Sequence, residues 1–227
     1  MNEEIETSKD VLKDYSLLKK IDRFFYFSIK RLFDIVFSLL GIMFLLPISL
    51  IVKISYVLSG DYKTIFYKQK RIGKNGKIIY IFKYRTMIPD ADEVLKELLK
   101  KTKYKKEWKS HHKLSNDPRI TKMGKILRKS SLDEFPQFIN VLKGDLSIIG
   151  PRPLVEGELD EHNGNHEIYE SVKPGITGWW AANGRSAIDY ENRLKLEYYY
   201  AKNCNIILDI KCILLTIFIV LQRTGAK

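Results

Sequence analysis

The sequence contains little cysteine, and its two cysteines do not form a recognisable motif. Cys204 and Cys212 are the only cysteines among 227 residues. Their spacing matches neither a CxxC motif nor a disulfide framework, so we expect reduced thiols. The chain has no internal repeat, no low-complexity tract, and no P-loop, HExxH, GxSxG or zinc-ligand spacing. The chemistries that those motifs carry therefore have no support in this sequence.

Acidic residues are outnumbered by basic ones. The chain has 39 Lys and Arg against 27 Asp and Glu, which gives a formal net charge of +12 at pH 7. Such a balance predicts an anionic partner, which could be nucleic acid, an anionic lipid surface or a phosphorylated substrate. With 45% hydrophobic residues the chain can build a core, and its length fits one domain with or without a membrane element.

One long apolar run extends from Ile35 to Val52, with Ser38 and Ser49 as its only polar residues. Its 18 residues would form a straight helix of roughly 27 Å, which is barely enough for a tilted membrane span. Pro47 predicts a kink inside it. An ordinary single-pass anchor is one interpretation of this run.

The residues around the run favour a different interpretation. Basic residues flank both ends, and the positive-inside rule then places both ends in the cytoplasm. A re-entrant membrane helix over residues 28–60 that breaks near Pro47, after a polar N-terminal segment over residues 1–27, would satisfy this rule, and on the residues alone the single-pass anchor stays open beside it. Asp34 is expected to pair with Arg31 where the helix enters the membrane.

Two further stretches show clear local patterns. Residues 62–87 predict a short β-hairpin, with a strand at Thr64–Tyr67, a turn at Gly73–Gly76 and a strand at Ile78–Phe82. Residues 91–113 predict a lysine-rich helix with an apolar stripe and Trp108, which suits an anionic membrane surface. Nucleic-acid binding is the alternative for the lysines, but no nucleic-acid-binding signature accompanies them.

The stretch from Arg128 to Pro153, RKSSLDEFPQFINVLKGDLSIIGPRP, carries the strongest chemical signal. Asp133 and Glu134 are adjacent carboxylates just before Pro136, and the apolar spacing that follows predicts a helix ending at Gly144. A helix N-terminus favours phosphate. Another placement makes Ser131 the helix cap and Glu134 its capping-box partner.

Two readings of the acidic pair remain open on spacing alone. Asp133 and Glu134 could simply complement the helix dipole. Flanked by Arg128 and by Arg152 in a rigid Pro-Arg-Pro, they also suit metal-assisted phosphoryl chemistry, with one carboxylate attacking or binding Mg²⁺ and the cations holding phosphate oxygens.

The same stretch closely resembles the signature of bacterial sugar transferases that act on polyprenyl phosphate, the monotopic phosphoglycosyl transferases. The resemblance continues through FKYRTM (82–87), DPRITKMGKILR (117–128), KPGITGWW (173–180) and NGRS (183–186), and covers the chain from about residue 28. It implies transfer of a sugar 1-phosphate from a UDP-sugar to undecaprenyl phosphate, with release of UMP, as the first membrane step of surface polysaccharide assembly.

The resemblance also implies roles for individual residues. Asp133 would be the nucleophile that forms an aspartyl-phosphosugar intermediate, Glu134 would hold the Mg²⁺ cofactor, and Arg85, Arg128, Arg152 and Arg185 would bind phosphate or substrate. Lys173–Arg185 would form either a wall of the nucleotide-sugar pocket or a tight turn with aromatic packing. Ala181 stands where the family usually has Gln, so sugar recognition is expected to differ.

The predicted architecture is α+β and mainly helical. It is a monotopic membrane protein with a re-entrant helix, a short hairpin, a catalytic domain over residues 61–227, and amphipathic interfacial helices at about 91–113 and 205–222. It is expected on the cytoplasmic face of the bacterial inner membrane. Its expected partners are UDP-sugar, polyprenyl phosphate and membrane lipids, without nucleic acid, and a homodimer is left open.

Two other functions remain open on the sequence. One is a membrane-tethered polyanion-binding protein without catalysis. The other is a metal-dependent phosphotransferase that uses Asp133 and Glu134 only as metal ligands, with direct transfer. The sequence does not specify the sugar.

Overall fold

The chain is mainly helical, with two small sheets. The structure is a computed structural model that describes residues 2–111, 114–184 and 188–221, and side chains at 21–108, 114–184 and 188–219. The many helices and the two small sheets confirm the expected α+β class. The helices are α1 (Asn2–Leu58), α2 (Ala91–Leu99), α3 (Thr102–His111), α4 (Lys122–Lys129), α5 (Gln137–Lys143), α6 (His166–Tyr169), α7 (Trp179–Ala182), α8 (Tyr190–Asn203) and α9 (Ile206–Leu221); the strands are β1 (Phe66–Ile72), β2 (Ile78–Tyr84), β3 (Ser147–Ile149) and β4 (Gly175–Thr177).

Helix α1 contains the apolar run and leaves one face of it uncovered. Among the described residues, its part from Ile21 to Leu58 is the one helix long and apolar enough to cross a membrane. An uncovered apolar surface of this length indicates a membrane-facing surface. Its exposed large side chains include Phe24, Phe25, Ile29, Leu32, Val36, Phe37, Leu39, Leu40, Met43, Phe44, Leu46, Leu50, Ile51 and Ile54.

Pro47 lies inside α1 without ending it, because helical geometry continues to Leu58. The hydroxyl of Tyr84 on β2 contacts the helix within one turn of this proline. It donates to the carbonyl oxygen of Leu45 at 3.2 Å and lies 2.7 Å from Oγ of Ser49. The predicted turn inside the membrane stays a prediction.

The opposite face of α1 packs along the rest of the chain from one end of the apolar run to the other. Near its start, the Tyr26 hydroxyl donates to Asp209 at 3.0 Å. Near its end, the Tyr56 hydroxyl donates to the carbonyl oxygen of Arg85. In a straight helix these two tyrosines would be about 45 Å apart. The domain therefore lies beside α1 along the whole run.

Arg31 and Asp34 each bond to the domain rather than to one another, so the expected pair between them is wrong. Arg31 donates to the carbonyl oxygens of Val141 and Leu142, both at 2.7 Å. Asp34 is 2% exposed and accepts from the hydroxyl of Ser147 at 3.0 Å and from a backbone N–H of β3 at 2.8 Å. Buried polar groups need such partners, and the strand and the C-terminus of α5 supply them.

Strands β1 and β2 form the predicted antiparallel hairpin, in a register that pairs Phe66 with Tyr84 and Ile72 with Ile78. Its turn contains Asn75 at φ 57°. The first strand was expected at Thr64–Tyr67, and it lies later in the chain. Thr64 is outside it because its hydroxyl accepts from the N–H of Phe66 and its carbonyl oxygen accepts from Arg85.

Strands β3 and β4 pair in parallel, and glycines allow their backbones to come close. A Cβ on Gly178 would lie 2.0 Å from the carbonyl oxygen of Gly150, and a Cβ on Gly175 would lie 2.1 Å from the Gly150 nitrogen. The stretch KPGITGWW thus contains strand β4, with α7 beginning at Trp179, so the tight turn expected there is wrong, and the pocket wall stays a prediction.

The lysine-rich segment forms two helices, so the single helix expected over 91–113 is wrong. The chain tightens between α2 and α3, where the N–H groups of Lys100 and Lys101 bond to carbonyl oxygens three residues back. Residues 112 and 113 lie outside the described residues.

Helix α9 confirms the helix expected at about 205–222, although residue 222 lies outside the described range. Leu208 and Cys212 face the core. The other face of α9 adds to the exposed apolar surface, through Ile206, Ile207, Ile210, Leu214, Leu215, Ile217 and Phe218.

Candidate active site

Asp133 and Glu134 lie in a 3₁₀ turn, Leu132–Glu134, directly before α5. Ser131 opens this turn at φ 57° and its side chain makes no capping bond, so the alternative capping-box placement is wrong. Phe135 has helical angles despite the following proline, which lets the turn run straight into α5. Both carboxylates therefore lie at the start of this helix, as the sequence indicates.

The pKa of Asp133 is raised above its usual range. Burial contributes most to this shift, and the negative charge of Glu134 adds to it. The charges of Lys83 and Arg128 act in the opposite direction without cancelling the effect. A half-buried carboxylate between a second carboxylate and two cations is a candidate reactive group.

Lys83, near the end of β2, reaches Glu134. Its Nζ lies 2.9 Å from Oε1 of Glu134. The Lys83 side chain is 22% exposed and that of Glu134 is 41% exposed, so this ion pair borders solvent and stays accessible to a ligand.

Arg128 approaches the carboxylates from the last turn of α4. Its Nε donates to the hydroxyl of Thr86 at 3.0 Å. Helix α4 is pressed against the same segment, since a Cβ on Gly124 would lie 2.0 Å from the carbonyl oxygen of Thr86. Thr121 caps α4 by accepting from the N–H of Gly124 at 2.9 Å. The cap and the glycine together fix the direction in which Arg128 points.

Arg152 is held in place through both its side chain and its backbone. Its Nη1 lies 2.8 Å from Oε1 of Glu158. Its N–H donates to Glu197 at 3.4 Å, and its carbonyl oxygen accepts from the Tyr169 hydroxyl at 2.8 Å. This bracing limits the orientations of the Pro-Arg-Pro segment.

Arg71 connects the Arg152 region with the acidic turn. It is 7% exposed, and its pKa is lowered by burial first and by the charge of Arg152 second. The charges of Glu158 and Glu134 partly offset this. Arg71 and Arg152 are neighbouring cations whose charges Glu158 and Glu134 offset only in part, and such a pair favours the binding of phosphate groups.

Sequence reasoning did not place Arg71 or Lys83 at the site. Their proximity to Glu134 depends on the register of the hairpin and on the packing of α5 against β2. The one available signal was that FKYRTM, which contains Lys83, belongs to the same set of motifs as the acidic turn.

The Arg85 side chain bonds to protein groups. Its Nε donates to the carbonyl oxygen of Thr64 at 2.8 Å and its Nη1 to that of Met87 at 3.1 Å. Its Nη2 lies 2.9 Å from Asp61, and the guanidinium stacks on the ring of Tyr56. Its expected contact with phosphate stays a prediction, while Arg185 lies outside the described residues.

The donor set fits Mg²⁺. This ion is usually held by one or two carboxylates together with substrate phosphate oxygens, without a cage of protein ligands. Glu134 uses Oε1 for Lys83, and its other carboxylate oxygen has no bonding partner among the described residues. Nowhere in the described parts of the chain do three His, Cys, Asp or Glu side chains group as metal ligands.

The segment after β4 presents little polar surface. Ala181, at the position where the resemblance expects Gln, is 5% exposed. The buried indole N–H of Trp180 has no acceptor among the described residues.

The family model described as "Bacterial sugar transferase" matches residues 25–223. The undecaprenyl-phosphate galactose phosphotransferase of Salmonella typhimurium is 41% identical over 212 residues, 93% of this chain and 43% of that protein. The exopolysaccharide production protein ExoY of Sinorhizobium fredii is 38% identical over 198 residues, 87% of each chain.

A third relative has a name that states its donor. The UDP-glucose:undecaprenyl-phosphate glucose-1-phosphate transferase of Escherichia coli is 36% identical over 199 residues, 84% of this chain and 39% of that protein. The chain thus spans less than half the length of this enzyme and of the Salmonella one. The match across 25–223 includes the acidic turn and the cations around it, and the chain belongs to the bacterial sugar transferase family.

Proposed function

We propose that the protein transfers a sugar 1-phosphate from a UDP-sugar to undecaprenyl phosphate and releases UMP. The observation that carries this proposal is the position of Asp133, a half-buried carboxylate with a raised pKa, between Glu134, Lys83 and Arg128. The names of the relatives, which act on undecaprenyl phosphate, support the choice of acceptor.

In the first half-reaction, a carboxylate oxygen of Asp133 attacks the β-phosphorus of the UDP-sugar. The bond from this phosphorus to the bridging oxygen breaks, and UMP leaves with the electron pair. An aspartyl-phosphosugar remains on the protein. Asp133 must be ionised to attack, and the positive charges of Lys83 and Arg128 favour its ionised form.

In the second half-reaction, an oxygen of undecaprenyl phosphate attacks the same phosphorus. The bond to Asp133 breaks and the carboxylate is regenerated, so the protein returns unchanged. In this proposal, Arg128 and Lys83 steady the phosphoryl oxygens in both steps, and Arg71 and Arg152 hold the rest of the diphosphate.

Glu134 is the residue we assign to Mg²⁺, because one of its carboxylate oxygens has no partner in the part of the chain that the structure describes. When bound, the ion would neutralise diphosphate charge and assist the departure of UMP.

The packing of α1 suggests where the reaction takes place. Both ends of its apolar run contact the domain, through Tyr26 and Tyr56, while its outer face stays apolar. We propose that the helix enters and leaves the cytoplasmic face of the inner membrane, so that a soluble donor and a lipid acceptor reach Asp133 from opposite sides.

The test uses purified protein in nanodiscs with Mg²⁺ and UDP-glucose, UDP-galactose or UDP-N-acetylhexosamines, without acceptor. We expect a stoichiometric release of UMP and a sugar-phosphate mass on the peptide that contains Asp133. Undecaprenyl phosphate should then remove this adduct. Asp133→Asn should abolish both signals, and Asp92→Asn, an exposed carboxylate on α2, should keep them.

Each other outcome favours a different function. Turnover with both substrates but no adduct would mean direct transfer, with Asp133 as a metal ligand. If no UDP-sugar reacts even with acceptor present, the protein is not this enzyme, and retention of polyanion binding in Asp133→Asn would favour the non-catalytic alternative.

A further inference from the structure

A second cluster of cations surrounds a cavity away from the acidic turn. The cavity has a volume of about 160 Å³, more than the roughly 30 Å³ that one water molecule takes in the liquid. It lies between the start of the apolar run of α1, the hairpin turn and the segment before β4. Four basic residues line it, namely Lys30, Arg31, Lys74 and Lys173.

The cavity is separate from the catalytic carboxylates. Arg31 binds the carbonyl oxygens at the C-terminal end of α5, whereas Asp133 and Glu134 precede its N-terminal end. The seven residues of α5 rise about 10 Å between those ends. A phosphate in this cavity is therefore not the reacting phosphate.

Lys173 and Arg31, which both line the cavity, converge beside Gly144 at the end of α5. A Cβ on Gly144 would lie 3.4 Å from Nζ of Lys173 and 3.6 Å from Nη2 of Arg31. Burial, and then the charge of Arg31, lower the pKa of Lys173. Within the described parts of the chain, the Lys173 ammonium has no hydrogen-bond or ion-pair partner.

The acidic groups nearby do not balance these charges. Asp209 pairs with Lys30 at 2.8 Å. Asp34 lines the cavity but uses one carboxylate oxygen for two bonds to β3. Asp145, whose charge also acts on Lys173, pairs with Lys143 at 3.6 Å and does not line the cavity. Apart from Lys30, the cavity lining therefore has three cations, Arg31, Lys74 and Lys173, and one carboxylate, that of Asp34. Lys74 is exposed at the rim, with its ammonium 5.5 Å from the centre of the Phe27 ring.

We propose that this cavity binds a phosphate group, which Lys74 and Lys173 hold, beside the point where α1 meets the membrane. The apolar side chains of Phe24, Phe25 and Ile29 are exposed on the same stretch of α1. A lipid whose acyl chains cover them would bring its headgroup phosphate to the level of the cavity. The site would anchor the domain and does not depend on the transfer reaction.

The test measures thermal unfolding of the full chain in a neutral detergent. Three probes are titrated: dihexanoyl phosphatidylglycerol, dihexanoyl phosphatidylcholine and inorganic phosphate. We expect a saturable rise in Tm with the phosphatidylglycerol. The double variant Lys74→Gln/Lys173→Gln should need a concentration higher by about fivefold for each lysine removed. The matched variant Lys195→Gln/Lys202→Gln removes two exposed lysines of α8 and should behave as the unchanged protein.

The outcomes identify the source of the phosphate. A shift with phosphatidylglycerol alone means a lipid headgroup, and an equal shift with inorganic phosphate that the double variant loses means a free phosphate. No shift with any probe, or equal shifts in the double variant and the unchanged protein, would overturn the proposal. If Lys173→Gln folds poorly, Lys74→Gln alone gives the answer, because that side chain is exposed. Asp133→Asn should retain the shift, which separates this site from catalysis.

Discussion

Nζ of Lys83 lies 2.9 Å from Oε1 of Glu134, which joins the hairpin to the acidic turn by an ion pair. The same ammonium opposes the rise in the pKa of the neighbouring Asp133. Lys83 therefore acts on both carboxylates. A lysine at the edge of a two-stranded sheet could be read as a solvated charge that guards against aggregation, but its contacts place it in the site.

Replacing Lys83 by Met should move the acid limb of the pH–rate profile. Loss of the positive charge raises the pKa of Asp133 further, so a higher pH is needed to ionise this proposed nucleophile. We expect the acid limb of kcat/KM to shift to higher pH, with lower activity below it. Lys125→Met, at an exposed position of α4, is the control. An unchanged limb would mean that Asp133 is not the group whose ionisation limits the rate.

Replacing Glu134 by Gln should weaken the apparent affinity of the enzyme for Mg²⁺. The amide keeps the size of the side chain but loses the charge that attracts the ion. We expect the Mg²⁺ concentration for half-maximal UMP release to rise by about tenfold or more. Chelation of the metal should stop the unchanged enzyme. Glu161→Gln, at an exposed position before α6, should leave the Mg²⁺ titration unchanged. If Glu134→Gln gave the same Mg²⁺ titration curve as the unchanged enzyme, Glu134 would not be a metal ligand.

The proposed path of α1 predicts that both ends of its apolar run label from one side of the membrane. Asp22→Cys and Ser59→Cys introduce exposed thiols before and after the run, in a background of Cys204→Ser and Cys212→Ser. In sealed inverted vesicles, a thiol reagent that cannot cross the membrane should label both. Labelling of only one position before the vesicles are opened would establish a single-pass anchor instead.

Glu197 predicts a stability change near neutral pH. Burial raises its pKa from 4.5 to about 7 in the folded protein. Between these values the folded state binds more protons than the unfolded state, so the free energy of unfolding falls as pH rises from about 4.5 to about 7. Glu197→Gln imitates the protonated carboxyl and removes this dependence.

Thermal unfolding of the two proteins at several pH values measures the effect. The Tm of Glu197→Gln relative to the unchanged protein should increase across that window, with a difference in unfolding free energy of up to roughly 3 kcal/mol at the upper end. Glu191→Gln, exposed on the same helix, should show no such trend. Parallel curves for Glu197→Gln and the unchanged protein would mean that Glu197 is ionised throughout.

The sequence was most informative where function depends on adjacent residues. Asp133, Glu134 and Arg128 fall within seven consecutive positions, and the proline and glycine around them predicted the helix that follows. Contacts made across the fold were not accessible in this way. The role of Arg71 requires the hairpin register, and the partners of Arg85 depend on the direction of its side chain, which local patterns do not specify.

The helix boundaries show the same division. Gly144 ends α5 at φ 88°, as its conformational freedom predicts. The division between α2 and α3 has no glycine or proline to mark it, and the one long helix expected there was wrong. Propensity summed over a window does not locate a tightened turn between two good helix-forming segments.

The side-chain amide of Asn140 joins the helix after the acidic turn to the strand that carries Lys83. The side chain of Asn140 on α5 accepts from the N–H of Phe82 at 2.9 Å and donates to the carbonyl oxygen of Tyr80 at 2.7 Å, in place of a third strand beside β2. The helix that follows the acidic turn is thereby coupled to the strand that carries Lys83. Asp133 and Lys83 are therefore expected to move as one unit, and an opening wide enough for the proposed UDP-sugar is expected in the loops around them.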